Sequence, residues 1–281
     1  MLNQNFTTMK KLIFLVCLLV GVGISTNVLA QSTGTSPYVG ATHTYSAADH
    51  AGSTYAWYVY KGDLSTSPGA EVDLTDGTSR VASIQWTTAV VGTDYYVKVI
   101  ETVTATGCTN TKVLRVRPVA SAFDVAITAD VPCWTAVTVS LDAATPKEPI
   151  YAHGSATIAY TFTPTNNQGA YKFTYAIPTK TDFTWATPTI TGDAGTLSGA
   201  SGNGGTFTST AGGGAVTLTF VVTRTDLTNT TDATGAGADF DSNLTISTVK
   251  TGTSFAISET SGADNVKNIA VTRPHTAITT P

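Results

Sequence analysis

The chain has 281 residues and a formal charge of −4, and only 12% of its residues are charged, about half the roughly 25% usual in soluble domains. Threonine supplies the missing polarity, with 55 residues alongside 25 Gly and 11 Pro. Thr favours strands, and Gly and Pro interrupt helices, which excludes a mainly helical protein; 42% hydrophobic and 9% aromatic residues exclude a highly charged disordered chain.

Residues 1–30 hold Lys10 and Lys11 and no acid, and an apolar run from Leu12 to Ile24 leads to Val28-Leu29-Ala30. This is the layout of a secretory signal peptide, with cleavage expected between Ala30 and Gln31. The run is shorter than the ~20 residues that cross a bilayer, so the mature chain is expected to hold no transmembrane segment. Cys17 follows Val16 inside the apolar run, where a lipoprotein signal wants a small residue, which disfavours a lipid anchor. Export places the mature chain outside the cell, at its surface or in the periplasm. Without residues 1–30 the formal charge is −6, from 13 Lys and Arg against 19 Asp and Glu. No basic patch remains, so nucleic acid is not an expected partner.

From Ala41 onward, short segments of alternating apolar and polar residues are separated by Gly, Asp, Asn and Pro, the pattern of antiparallel strands and turns. Strands are predicted over Thr54 to Tyr60, Arg80 to Thr87, Asp94 to Val103 and Val113 to Arg117. A second set covers Asp124 to Thr128, Ala136 to Leu141, Ala156 to Thr163, Tyr171 to Ile177, Val216 to Arg224, Asn243 to Val249, Phe255 to Ser258 and Asn268 to Thr272. No long window has helical periodicity. The expected fold class is therefore all-β, two β-sandwich domains in tandem after a cleaved signal peptide. The joint is expected at Arg117-Pro118-Val119-Ala120-Ser121-Ala122, dividing residues 37–118 from a larger sandwich over 122–281. The glycine-rich run Thr191 to Gly214 predicts mobile hairpin loops around a short edge strand at Thr206 to Thr208.

Thr54-Tyr-Ala-Trp57-Tyr-Val-Tyr60, then Ile84-Gln85-Trp86, Gly92-Thr-Asp-Tyr95-Tyr-Val97-Lys-Val99 and Gly107-Cys108-Thr109 occur in succession. This succession resembles a PKD or Ig-like module of secreted and surface proteins of Gram-negative bacteria, Bacteroidota especially. The resemblance spans about residues 37–118 and implies that Tyr-x-Trp, Ile-x-Trp and Tyr-x-Val-x-Val strands pack against one another. It lacks the Trp-Asp-Phe-Gly-Asp-Gly run of the best-known PKD pattern. Strand alternation independently puts Tyr55, Trp57 and Val59 on one face and Ala56, Tyr58 and Tyr60 on the other. Trp57 is the expected centre of the first core.

Candidate chemistry is sparse. The four histidines, His43, His50, His153 and His275, stand in no metal-ligand spacing. Gly199-Ala-Ser201-Gly-Asn203 misses the final glycine of a nucleophile elbow, and no pair of acids is singled out for glycoside hydrolysis, so a non-enzyme is expected. Asp239, Asp241 and Asn243 place oxygens at alternate positions as a calcium loop begins, but Leu244 stands where such a loop needs Gly; the alternatives are a solvated turn and a calcium site, with Asp232 as a further ligand. Cys108 and Cys133 are either two separate thiols or a disulfide closing a loop of about 25 residues. Tyr58, Tyr60 and Tyr96, with Lys98, form either a binding surface for a protein or sugar or an ordinary cross-strand cluster.

The composition and export signal point to a structural, adhesive or protein-interaction role at the cell surface or outside the cell. The expected partners are other envelope or extracellular proteins. The alternatives are a carbohydrate-binding module, distinguished by whether the tyrosine face or Trp185 lies flat and open, and an accessory component of a secretion or surface-motility assembly.

Overall fold

A computed structural model describes residues 32–130, 132–134, 138–144, 149–152, 154–225, 227–228 and 240–271. The expected signal peptide, Asp232, Asp239, His153 and His275 lie outside the described residues. The first strands are β1 (Thr42–Ser46), β2 (Ser53–Lys61), β3 (Asp73–Thr75), β4 (Val81–Gln85), β5 (Tyr95–Val103) and β6 (Thr109–Val116), with a 3-10 turn at Gly69–Glu71. There follow β7 (Asp124–Ala129), β8 (Thr138–Leu141), β9 (Pro149–Ala152), β10 (Ser155–Thr165), β11 (Tyr171–Ala176), β12 (Phe183–Trp185) and β13 (Thr189–Gly192). The last are β14 (Thr196–Ser201), β15 (Gly204–Thr208), β16 (Val216–Arg224), β17 (Leu227–Thr228), β18 (Phe240–Thr251), β19 (Ile257–Ser258) and β20 (Val266–Val271). The protein is all-β, as its composition demands, with no α-helix among the described residues.

Strands β1-β4-β3 form one sheet and β2-β5-β6 a second, all pairs antiparallel. This order matches the B-E-D and C-F-G halves of an immunoglobulin sandwich. Between the sheets lie Trp57, Val59, Ile84, Trp86, Tyr95, Val97 and Val116, the residues that strand alternation turns inward. Trp57 is 7% exposed, and its Nε1 donates to the Ser79 carbonyl at 2.8 Å. Trp86 is fully buried against the edge of Tyr95, ring centroids 5.4 Å apart.

A second core joins the sheet β12-β16-β10-β7 to the sheet built on β14-β15-β11-β18. Phe162 and Phe173 stack across it at 4.4 Å, with Phe207 5.4 Å from Phe173 and the edge of Phe220 against Tyr160. In Val216-Thr-Leu-Thr-Phe220 the apolar residues are buried and the threonines half-exposed, so hydroxyls give the sheet its polar side without charge.

Thr191 to Gly214, expected as mobile loops around an edge strand at Thr206 to Thr208, instead holds the end of β13 and all of β14 and β15; the expected strand falls in β15, which lies between β14 and β11 and not at an edge. Its glycines permit close packing: a Cβ at Gly202 would run into the Trp185 backbone, and one at Gly195 into the Thr208 carbonyl and the Phe207 ring. Glycines that look like slack in the sequence let strands approach bulky side chains.

The joint predicted around Arg117–Ala122 is held on both sides. Arg117 and Val119 donate their N–H groups to the carbonyls of Thr35 and Pro37 at 2.9 Å, and Gly92 donates to the Pro118 carbonyl. Thr260 donates its N–H to the Phe123 carbonyl and its hydroxyl to the Ser121 carbonyl. Tyr38, Ala41 and Ile257 form a small separate core here, packed by Val119 and Ala122.

Candidate functional site

The sheet β2-β5-β6 brings the predicted tyrosines together on its outer face. Pairing sets Tyr58 opposite Lys98 and Tyr60 opposite Tyr96, while on the far side of β5 Tyr96 faces Arg115 and Lys98 faces Val113. Tyr58 and Tyr60 stack with planes 17° apart, and the Lys98 ammonium lies 5.6 Å from both ring centroids. The cation occupies the attractive faces of the two rings. Tyr58 is 42% exposed and Tyr60 and Tyr96 are half-buried, so the face is an amphipathic patch of rings and cations. Arg115 is tied to the Asp94 carboxylate at 2.9 Å. Trp185 is partly buried against the second core, its ring edge-on to Phe220 at 6.2 Å, and so offers no open platform.

Around the corner of this sheet, the two halves of the first sandwich part. A cavity of about 340 Å³ opens between β1 and β6, lined by Tyr45, Trp57, Val97, Val99, Lys112 and Leu114 among others. Every residue of β6 from Thr109 to Arg115 is exposed, including Val113 at 44% and Leu114 at 41%. Sequence reasoning marks β6 as a strand but not as an uncovered one, because exposure depends on which strand lies beside it.

Cys108 and Cys133 do not pair: both are free and exposed. The reason lies in the topology. Strand β6 runs eight residues from Cys108 to the joint, about 26 Å at ~3.3 Å per residue, and Cys133 follows β7 on the other side of the joint.

Asp241 and Asn243 lie within β18, opposite Ala270 and Asn268 of β20, so their backbone is engaged in a ladder where a calcium loop would turn. The acids that do converge are ones the sequence keeps far apart. Asp124 at the start of β7, Glu259 after β19 and Asp264 before β20 bring carboxylate oxygens within 4.8 Å of one another. This donor set of hard oxygens is of the kind that could hold a divalent cation. Asn265 Nδ2 donates to Glu259 at 2.8 Å, while an oxygen of Asp124 and one of Glu259 are buried without a partner. Burial, then the neighbouring Asp124 and Asp264 carboxylates, pushes Glu259 up to about 7; burial, then Asp264, raises Asp124. No sequence signal marks this cluster, since its members lie up to 140 residues apart.

No protein-family model matches the chain, and no curated protein matches it in sequence. Among solved structures, the full-length major pilin SpaD from Corynebacterium diphtheriae is 14% identical, with a TM-score of 0.25 over 69% of this chain and 56% of that one. The collagen adhesin of S. aureus is 10% identical, with a TM-score of 0.28 over 85% of this chain and 90% of that one. The chain thus spans little more than half the length of the pilin it matches. Likeness this distant carries no functional argument, and only the chain's own residues can supply one.

Proposed function

We propose that this chain is an exported, non-enzymatic structural or adhesive protein of the bacterial surface, two sandwiches in tandem over residues 37–118 and 122–281 that work by contact with other envelope or extracellular proteins. The observation that carries this reading is the outer face of β2-β5-β6. There Tyr58, Val113 and the Lys98 stem present apolar area to solvent on a rigid sheet, with the Arg115–Asp94 pair beside them. Exposed aromatic and arginine side chains on rigid elements are the groups that anchor protein interfaces. The low charge of the chain leaves such contact surfaces weakly shielded. Among the described residues no helix is long and apolar enough to cross a membrane, which fits a chain exported whole.

The stacked Tyr58 and Tyr60 favour one rival, a sugar-binding face. Lys98, seated against both rings, weighs against stacking of a pyranose there. Antibody labelling and protease shaving of intact cells, followed by a glycan array on the purified chain, test the two readings. Surface labelling with a silent array supports the proposal. Confinement to the cytoplasm overturns it, and sugar binding abolished by Tyr58→Ala transfers the face to the rival.

A further inference from the structure

Among the described residues, no strand pairs with the outer edge of β6. The N–H of Val103 donates to the Cys108 carbonyl at 2.9 Å, and antiparallel alternation from that pair turns the N–H groups of Asn110, Lys112, Leu114 and Val116 toward β5. Those of Thr111, Val113 and Arg115 therefore face away from the sheet. The same row continues into Arg117 and Val119, whose outward N–H groups are taken by the carbonyls of Thr35 and Pro37. Tyr38 and Val119 complete this parallel pairing. The segment Thr35–Tyr38 thus covers the lower end of the row, and before it Thr33 and Ser36 exchange backbone hydrogen bonds in a turn whose Gly34 carbonyl accepts from the Tyr45 hydroxyl. Above it, the donors of Thr111, Val113 and Arg115 have no protein partner among the described residues.

The seam beside them has the features of a strand site. An immunoglobulin sandwich places strand A at this edge, next to the strand that β1 represents, and among the described residues no strand stands there. Leu114 and Lys112 share the inward-facing row of β6, because they pair with Val97 and Val99 of the core. They nevertheless line an open cavity with Trp57 and Tyr45. Lys112 makes no ion pair among the described residues, whereas the neighbouring Arg115 has Asp94. A cation beside an apolar floor and a row of free backbone donors specifies its complement.

We infer that the β6 edge and its seam bind an extended segment of a partner protein, with apolar side chains at alternate positions and a carboxylate placed to meet Lys112. This deepens, and rests on, the surface-contact role proposed for the chain. Main-chain hydrogen bonds from Thr111, Val113 and Arg115 hold the segment, and the pocket over Trp57, Val97 and Leu114 selects its side chains.

A display library of random peptides about ten residues long, panned on the exported chain, tests the inference. The expected consensus alternates apolar residues and carries Asp or Glu. Its binding should slow amide exchange at Thr111, Val113 and Arg115 and fall roughly tenfold or more in Lys112→Glu. Val113→Pro removes one outward donor while keeping the bonds to β5, so it should fold normally and abolish binding. In the purified chain, any of four results overturns the inference: no enriched peptide, a consensus without alternation or acid, binding unchanged in Val113→Pro, or slow exchange of those three amides in the free chain. Slow exchange would mean that the edge is filled by the chain itself or by a second copy. Cells that display the protein and adhere equally with wild type and Val113→Pro would sink the strand site and leave the surface role standing. Absence from the surface would sink that role instead.

Discussion

The two sandwiches share one pattern of alternation, yet the first opens into a cavity of about 340 Å³ between β1 and β6 where the second packs stacked rings between its sheets. In the second, β10 is flanked by β7 and β16, β12 and β13 extend the β16 side, and β15 and β18 flank β11, over a core of stacked phenylalanines and tyrosines. In the first, two sheets of three strands enclose Trp57 and Trp86 but leave the margin between β1 and β6 without a strand among the described residues. The contrast separates two uses of the same strand chemistry. Where inward side chains find a facing sheet, burial goes into stability; where they line an open seam, the same residues become a surface that can recognise.

The closed core offers the severest test of this contrast. Phe173→Ala, which removes a fully buried ring stacked on Phe162, should cost about 3–5 kcal/mol, read from the midpoint of urea unfolding. A loss below about 1 kcal/mol would show that this core is loosely packed. Trp57→Ala should destabilise the first sandwich by a comparable ~3–4 kcal/mol, less where the open seam lets water reach the void. If near-ultraviolet dichroism showed both cores melting together in this variant, the held joint would be coupling them.

A smaller effect is expected from Gly202→Ala, whose Cβ meets the Trp185 backbone. It should destabilise the second sandwich by about 1–3 kcal/mol. A neutral result would return the glycine run to the mobile loops expected from composition. The acid cluster extends the contrast to pH. Glu259 titrates higher in the folded protein than in the unfolded chain, so the folded state binds more protons between the ordinary carboxyl range and about 7. Stability should therefore fall as pH rises through that window, and Glu259→Gln should raise the melting temperature at pH 8 while leaving it nearly unchanged at pH 4. Equal melting shifts at both pH values would contradict the raised titration of Glu259 in the folded protein. Smallest of all, Val113→Pro should change stability by less than about 0.5 kcal/mol in calorimetry. Thr161→Pro, at a position paired with both Thr128 of β7 and Thr217 of β16, should by contrast unfold the second sandwich.

Most strands and nearly all inward-facing residues were legible in the sequence, because period-two alternation survives any tertiary arrangement. Trp57 and Val97 are buried as their positions require, and Tyr58, Tyr60 and Tyr96 share the opposite face. Strands β1, β3, β9, β12, β13, β14 and β17 were not legible: they are two to six residues long, and their pairing comes from partners rather than from their own pattern. The free cysteines were undecidable from spacing, since sequence separation does not say whether two Cβ atoms meet. Neither the open seam nor the Asp124–Glu259–Asp264 cluster left a sequence signal, because each depends on strands remote in the chain.

Local pattern was enough to make this a sparsely charged β protein with hydroxyls on its outer faces, because side-chain alternation and the strand preference of Thr and Val act residue by residue. Where the sheets end, which acids meet and which backbone donors face solvent came from the assembled fold. Those outcomes are set by pairings such as Leu114 with Val97 and by the close of β19 against the joint, which no local pattern encodes. The threonine-rich composition makes many associating surfaces feasible; the edge of β6, unpaired among the described residues, selects one.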